Sequence, residues 1–270
     1  MSFRTLEISD PLLSPAGFQL VTVKSTALRQ RADVTIYLPP EFNQLRDLPI
    51  VTLLHGVYGS HWAWAYKGAA HLTAAELMCQ GAIHPMVLVM PSDGLWGDGS
   101  GYVAHQQQDF ERWVVEEVPE LAVRSCTACS SDSPRFIAGL SMGGFAALRL
   151  AGQYPTVYKA ASAHSALTDM SQIDALIEES RAHWSFEPSS NSVLAALKAA
   201  PGPLPALRLD CGQSDALIHA NRQLHQAMLD LGIDHTYEEF EGGHDWDYWR
   251  AHLADTLRFF SRTLELHHHD

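Results

Sequence analysis

Gly139-Leu140-Ser141-Met142-Gly143 has the spacing G-x-S-x-G. In a sharp strand-to-helix turn this spacing holds a serine hydroxyl clear of the sheet, strained and aimed at an incoming carbonyl. The glycines are needed because side chains at both positions would strike the neighbouring strand and helix. Composition alone yields such a pentapeptide on the order of 0.1 times in a chain of this size, so context has to decide. Pro134-Arg135-Phe136-Ile137-Ala138 reads as a buried strand, and Gly144-Phe145-Ala146-Ala147-Leu148-Arg149-Leu150-Ala151 reads as a helix. A turn with a passive serine requires neither.

A serine hydroxyl is a weak nucleophile until a base takes its proton, and the base needs a carboxylate to fix its tautomer. After an elbow of this kind the chain order is serine, acid, histidine. His244 follows Glu241-Gly242-Gly243, between the last apolar strand-like run and the last helical one. That loop falls at the carboxyl edge of a sheet. His164, His183, His219, His225, His235 and His252 fall in runs that read as strand, helix or insertion, where satisfied or solvated imidazoles are the ordinary case. For the acid, Asp215 stands just past the strand-like run that ends in Asp210-Cys211-Gly212. It is favoured over Asp210, whose place before the glycine turn suits a structural hydrogen bond to loop amides.

The oxyanion of a tetrahedral intermediate needs two preorganised N–H donors. Met142, next after the nucleophile, offers one. The other is expected from Val57, in Leu53-Leu54-His55-Gly56-Val57-Tyr58-Gly59, a loop following the third strand-like run. Trp62, Trp64, Tyr66 and Trp96 fall on loops near these groups and either line a substrate pocket or pack beneath it.

Such a site has to be carried by a parallel sheet. Runs at 18–24, 33–38, 50–54, 86–90, 135–138, 158–163, 206–211 and 236–240 read as eight strands. Helical spacing at 71–80, 109–122, 142–153, 216–231 and 247–264 alternates with them, the pattern of an α/β fold with helices on both faces. The first two runs are joined too closely for a crossover, so they are expected to pair antiparallel at one edge. Residues 167–205 interrupt the alternation after the sixth strand with two helix-like stretches separated by 186–190. They are either a small cap over the site or an extra packing element. The expectation is one domain over residues 1–270 with a flexible tail at 265–270; the terminal histidines 267–269 are set aside.

With these pieces in place, the chain resembles the esterase D-like branch of the α/β-hydrolase superfamily. The resemblance rests on His55-Gly56-Val57-Tyr58-Gly59 with Trp64, Gly139-Leu140-Ser141-Met142-Gly143-Gly144, Cys211-Gly212-Gln213-Ser214-Asp215 and Gly243-His244-Asp245-Trp246-Asp247-Tyr248-Trp249. It implies a serine esterase with the catalytic and oxyanion residues already reached from spacing, acting on short acyl esters. S-formylglutathione hydrolysis and feruloyl or acetyl-sugar ester hydrolysis are alternatives. Acyl transfer to an alcohol, or a binding protein on a hydrolase scaffold, would keep the same residues for another purpose.

Thirty-one acidic against eighteen basic residues give a formal charge of −13, which disfavours nucleic acid and anionic membrane surfaces as partners. The expected partner is a small-molecule ester, with a homo-oligomer left open. No G-x-G-x-x-G follows an early strand and no H-E-x-x-H occurs, so no cofactor and no metal are expected. The N-terminal residues lack a basic segment followed by an apolar one, and a cytoplasmic location is expected. Of four cysteines, Cys79 and Cys211 read as buried thiols. Cys126 and Cys129 form a C-x-x-C that reads as a surface loop, with a redox pair or half a metal site as the alternatives.

Overall fold

Strands covered on both faces show apolar runs without polar alternation, and the central strands of the sheet in the computed structural model are such runs. The structure describes residues 3–185 and 191–266. Nine strands form one sheet in the order β1-β2-β3-β5-β4-β6-β7-β8-β9. They are β1 (Phe3–Ile8), β2 (Phe18–Ser25), β3 (Arg31–Tyr37), β4 (Ile50–Leu54), β5 (Val87–Pro91), β6 (Arg135–Leu140), β7 (Ala160–His164), β8 (Ala206–Gly212) and β9 (Thr236–Phe240). Every residue of β4, β5 and β7 is buried.

Alternate side chains along these strands enter two separate cores. Val87 and Val89 of β5 and Ile137 of β6 pack on one face with Phe145, Leu148 and Trp113. Leu88 and Met90 of β5, with Phe136 and Ala138 of β6, pack on the other with Trp64, Leu253 and Phe260. The first layer is supplied by α5 (Met142–Gln153), α6 (Val193–Lys198), α7 (Ile218–Asp230) and a helix built of α3 (Phe110–Arg112), a π turn at Trp113–Glu117 and α4 (Val118–Ser125). The second is supplied by α1 (Ala63–Tyr66), α2 (Ala70–Cys79) and α8 (Trp246–Leu266).

The expected eight strands are present, and β1 is a ninth. It pairs antiparallel with β2, so the β2–β3 hairpin is flanked rather than terminal. β3 joins β5 antiparallel, and β5, β4, β6, β7, β8 and β9 run parallel to their neighbours. β4 lies between β5 and β6, so the chain passes to opposite sides of β4 in successive crossovers. Open parallel sheets bind ligands where the strand order reverses in this way, and here that point lies between the carboxyl ends of β4 and β6.

The insertion holds two short 3-10 turns, Met170–Ala175 and Arg181–His183, and then α6. The expected separator at 186–190 and the terminal residues 267–270 lie outside the described residues. Glu265 and Leu266, expected in a tail, belong to α8. Two cysteine expectations are also corrected. Cys79 is exposed at the end of α2, whereas Cys126 and Cys129 are buried free thiols. Cys126 ends α4 and Cys129 closes a turn onto it (N–H to C=O, 3.1 Å), which carries the C-x-x-C inward instead of leaving it on a surface loop. Among the described residues no helix is long and apolar enough to cross a membrane.

Candidate active site

Ser141 sits between the last residue of β6 and the first of α5 with φ 54° and ψ −118°, a backbone conformation a serine adopts only when its surroundings enforce it. The enforcement is visible in the two glycines. A Cβ at Gly139 would collide with the backbone of Gly143, and one at Gly143 with the carbonyl oxygens of Leu54 and His55. The turn is therefore pressed against the end of β4 with no room for side chains, and the Ser141 N–H is tied to the His164 carbonyl at 2.9 Å.

His244 reaches Ser141 from the loop after β9. Its Nε2 lies 3.0 Å from Ser141 Oγ and its Nδ1 lies 2.8 Å from Asp215 Oδ2. A carboxylate only accepts, so Nδ1–H donates to Asp215 and the lone pair on Nε2 is left to accept from the serine hydroxyl. The two loops are bound together by the main chain: Gln213 N–H donates to the Phe240 carbonyl (2.8 Å) and Ser214 N–H to that of Gly242 (2.9 Å). The Asp215 side chain is fully buried. Burial acts to raise its pKa, but the hydrogen bonds from His244 and from the Leu217 N–H (2.8 Å) prevail and hold it below the ordinary value. The His244 ring also stands edge-on to Trp249, 5.0 Å between centroids.

Asp210 has other partners. It accepts from His164 Nδ1 (2.9 Å), from Arg208 and from the Tyr248 hydroxyl (2.9 Å), all buried. The expectation of bonds to loop amides is corrected: its carboxyl is held by side chains, and it knits β7, β8 and α8 together beneath the site.

A cavity of about 440 Å³ opens in front of Ser141. Gly56, Val57, Tyr58, Trp62, Leu176, His244, Trp246 and Trp249 are among its walls, with Lys67 and Asp245 also lining it. Gly56 packs so closely on the elbow that a Cβ there would lie 2.8 Å from Leu140 Cδ1 and 3.2 Å from Ser141 Cβ. Met142 opens α5, so its N–H has no carbonyl one turn back to bond. The neighbouring Tyr58 N–H is engaged by the Asp98 carbonyl at 2.7 Å.

Of the four aromatic residues expected around the pocket, only Trp62 lines it. Trp64 is 1% exposed and its Nε1 donates to the Leu54 carbonyl inside the second core. Tyr66 points outward and stacks on Phe18 at 5.7 Å. Trp96 stands edge-on to His105 at 4.5 Å and to Trp184 at 6.1 Å, away from this cavity. For Trp64 and Tyr66, proximity in sequence to the loop after β4 misled because α1 buries Ala63, Trp64 and Ala65 in the core and leaves Tyr66 outside. The walls that sequence reasoning missed are Tyr58, Lys67, Leu176, Asp245, Trp246 and Trp249. Trp246 and Trp249 carried a signal, a pair three residues apart at the start of the helix after His244. Leu176 carried none, and its presence makes part of the insertion a wall of the site. Among the described residues no group of three or more His, Cys, Asp or Glu side chains is placed to hold a metal ion.

A family profile described as "Putative esterase" matches residues 25–260. The chain is 27% identical to an acetyl esterase of Caldicellulosiruptor saccharolyticus, over 81% of this chain and 85% of that one. It is 26% identical to an S-formylglutathione hydrolase of Paracoccus denitrificans, over 85% and 87%. Among solved structures, a ferulic acid esterase superposes with a TM-score of 0.73 at 25% identity, covering 97% of this chain and 99% of that one.

Proposed function

Since the chain belongs to the Esterase family, we propose that it hydrolyses small or short-acyl carboxylic esters through an acyl-enzyme on Ser141. The enzyme is a serine hydrolase of the α/β-hydrolase type. The observation that carries the residue assignment is the continuous chain of hydrogen bonds from Asp215 through His244 to a strained Ser141 at the floor of a cavity.

In this reading His244 Nε2 accepts the Ser141 proton as Oγ bonds to the ester carbonyl carbon, and Asp215 stabilises the imidazolium that results. The carbonyl oxygen becomes an alkoxide facing the N–H groups of Val57 and Met142. Collapse breaks the bond to the leaving alcohol, which receives its proton from His244. Water, deprotonated by the same imidazole, then attacks the acyl carbon and releases the acid and the serine. The similarity to an acetyl esterase supports a small acyl group, while the Trp62, Trp246 and Trp249 walls suit an aromatic one on either side of the ester.

Hydrolysis of p-nitrophenyl acetate is expected to fall by roughly 10⁴-fold or more in Ser141→Ala, and a fluorophosphonate probe to label the native chain but not this variant. Undiminished turnover in Ser141→Ala would refute the assignment. Relative kcat/KM for acetyl, butyryl, feruloyl and S-formylglutathione substrates then ranks the acyl groups, because specificity is differential transition-state binding.

A further inference from the structure

The loop at 97–101 touches both amide-bearing residues at once. A Cβ on Gly99 would lie 2.7 Å from Met142 Sδ and 3.2 Å from Val57 Cγ1, and the Asp98 carbonyl holds the Tyr58 N–H at 2.7 Å. Tyr58 itself has φ 60°, a left-handed conformation that a bulky residue keeps only under constraint. The same loop is fastened to the insertion. Glu178 N–H donates to Asp98 Oδ2 (2.9 Å), and Asp98 N–H donates to Glu179 Oε2 (3.1 Å). A side chain at Gly97 would collide with the Glu179 carboxylate. The Tyr58 hydroxyl closes the circuit by donating to the Leu176 carbonyl.

We infer that Asp98 is a positioning residue that locks the oxyanion loop to the insertion, so that the 176–179 segment governs how well the Val57 amide meets the developing alkoxide. The inference rests on the Ser141 acyl-enzyme reading. Asp98, Glu178 and Glu179 lie outside the cavity lining, so their influence passes through the backbone and not through substrate contact. An amide displaced by a few tenths of an ångström loses part of its bond to the alkoxide while ground-state binding is unchanged. The effect therefore belongs in kcat.

Asp98→Ala is expected to lower kcat about tenfold, a fraction of what removing an oxyanion donor costs, with KM within about twofold. A trifluoromethyl ketone, whose carbonyl carbon bonds to Ser141 Oγ to leave an alkoxide, is expected to bind this variant more weakly by the same factor. Asp98→Asn, which keeps an acceptor for the Glu178 N–H, should recover most of the loss. Glu179→Ala should reproduce the pattern from the other end of the link, and it serves as the test where Asp98→Ala does not fold. A kcat within twofold of native in a folded Asp98→Ala, a loss confined to KM with unchanged ketone affinity, or an Asn variant as impaired as the Ala one would each overturn the inference. Those outcomes with normal fluorophosphonate labelling sink only this link, whereas an active Ser141→Ala sinks the reading beneath it.

Discussion

Asp210 and Asp215 lie five residues apart at one end of β8, and their surroundings give them different work. Asp215 keeps one oxygen for His244 and one for the Leu217 amide. Asp210 is enclosed by Arg208, His164 and Tyr248. Burial alone would raise its pKa, but the His164 and Arg208 partners prevail and hold it at about 2. Because that folded value lies below the ordinary 3.8, the stability it contributes is present above the ordinary value and is lost as pH falls through about 2. Asp215→Asn is expected to lower kcat by about 10⁴-fold, since the imidazole loses its tautomer and its counter-charge, at a smaller cost in stability than the Asp210 change because no buried guanidinium depends on it. Asp210→Asn is expected to cost about 3–5 kcal/mol of stability by leaving a buried guanidinium short of a partner, and to flatten the acid limb of the stability profile. Urea denaturation as a function of pH, beside steady-state kinetics, separates the two; an Asp210 variant of native stability would remove its structural role. Sequence order was enough to pick out Ser141, Asp215 and His244 as one group, because each follows a strand end. It did not reveal the Asp210 partners: Arg208 stands two residues back on β8 itself, while His164 and Tyr248 come from β7 and α8 and meet it only in three dimensions.

The helix after β5 was legible as a 109–122 stretch, but its interior departs from α geometry. Pro119, in the first turn of α4, has no N–H to return to the carbonyl four residues earlier, and the preceding Trp113–Glu117 segment runs as a π turn. The extra residue per turn points Glu117 inward, where it is fully buried. Its carboxyl accepts from Ser25 Oγ, Thr26 Oγ1 and the Ala27 N–H (2.9 Å), which pins the helix to the turn between β2 and β3. Periodicity at 3.6 residues cannot report such a turn, because one added residue shifts the face without altering composition. β1 escaped for a different reason. Phe3 alone of its six residues is buried, so a strand on the sheet margin shows no apolar run. Glu117→Ala should destabilise by roughly 3 kcal/mol through two buried donors left orphaned, the Ser25 hydroxyl and the Ala27 N–H, with kcat/KM of the folded fraction unchanged. Glu117→Gln, keeping one acceptor, should lose less. Equal stability of native and Ala proteins in chemical denaturation would show that water replaces the carboxyl.

A formal charge of −13 surrounds a cavity lined by one cationic side chain, Lys67, and one anionic one, Asp245, so these two offset each other in charge and the field of the remaining surface decides which charged esters approach easily. That field decays over about 10 Å at 0.1 M salt and about 3 Å at 1 M. Contacts inside the cavity, by contrast, are little affected by salt. Two p-nitrophenyl esters of matched size, one ending in a trimethylammonium group and one in a carboxylate, therefore separate the contributions. At about 10 mM ionic strength the cationic ester should have the higher kcat/KM by severalfold, and raising the salt to 1 M should slow it while speeding the anionic one until the ratio approaches a plateau. The plateau measures what Lys67, Asp245 and the tryptophan walls contribute directly. A ratio that stays flat across the salt range would mean that the acidic surface is too far from the mouth to steer substrate, and discrimination would then rest with the cavity walls alone.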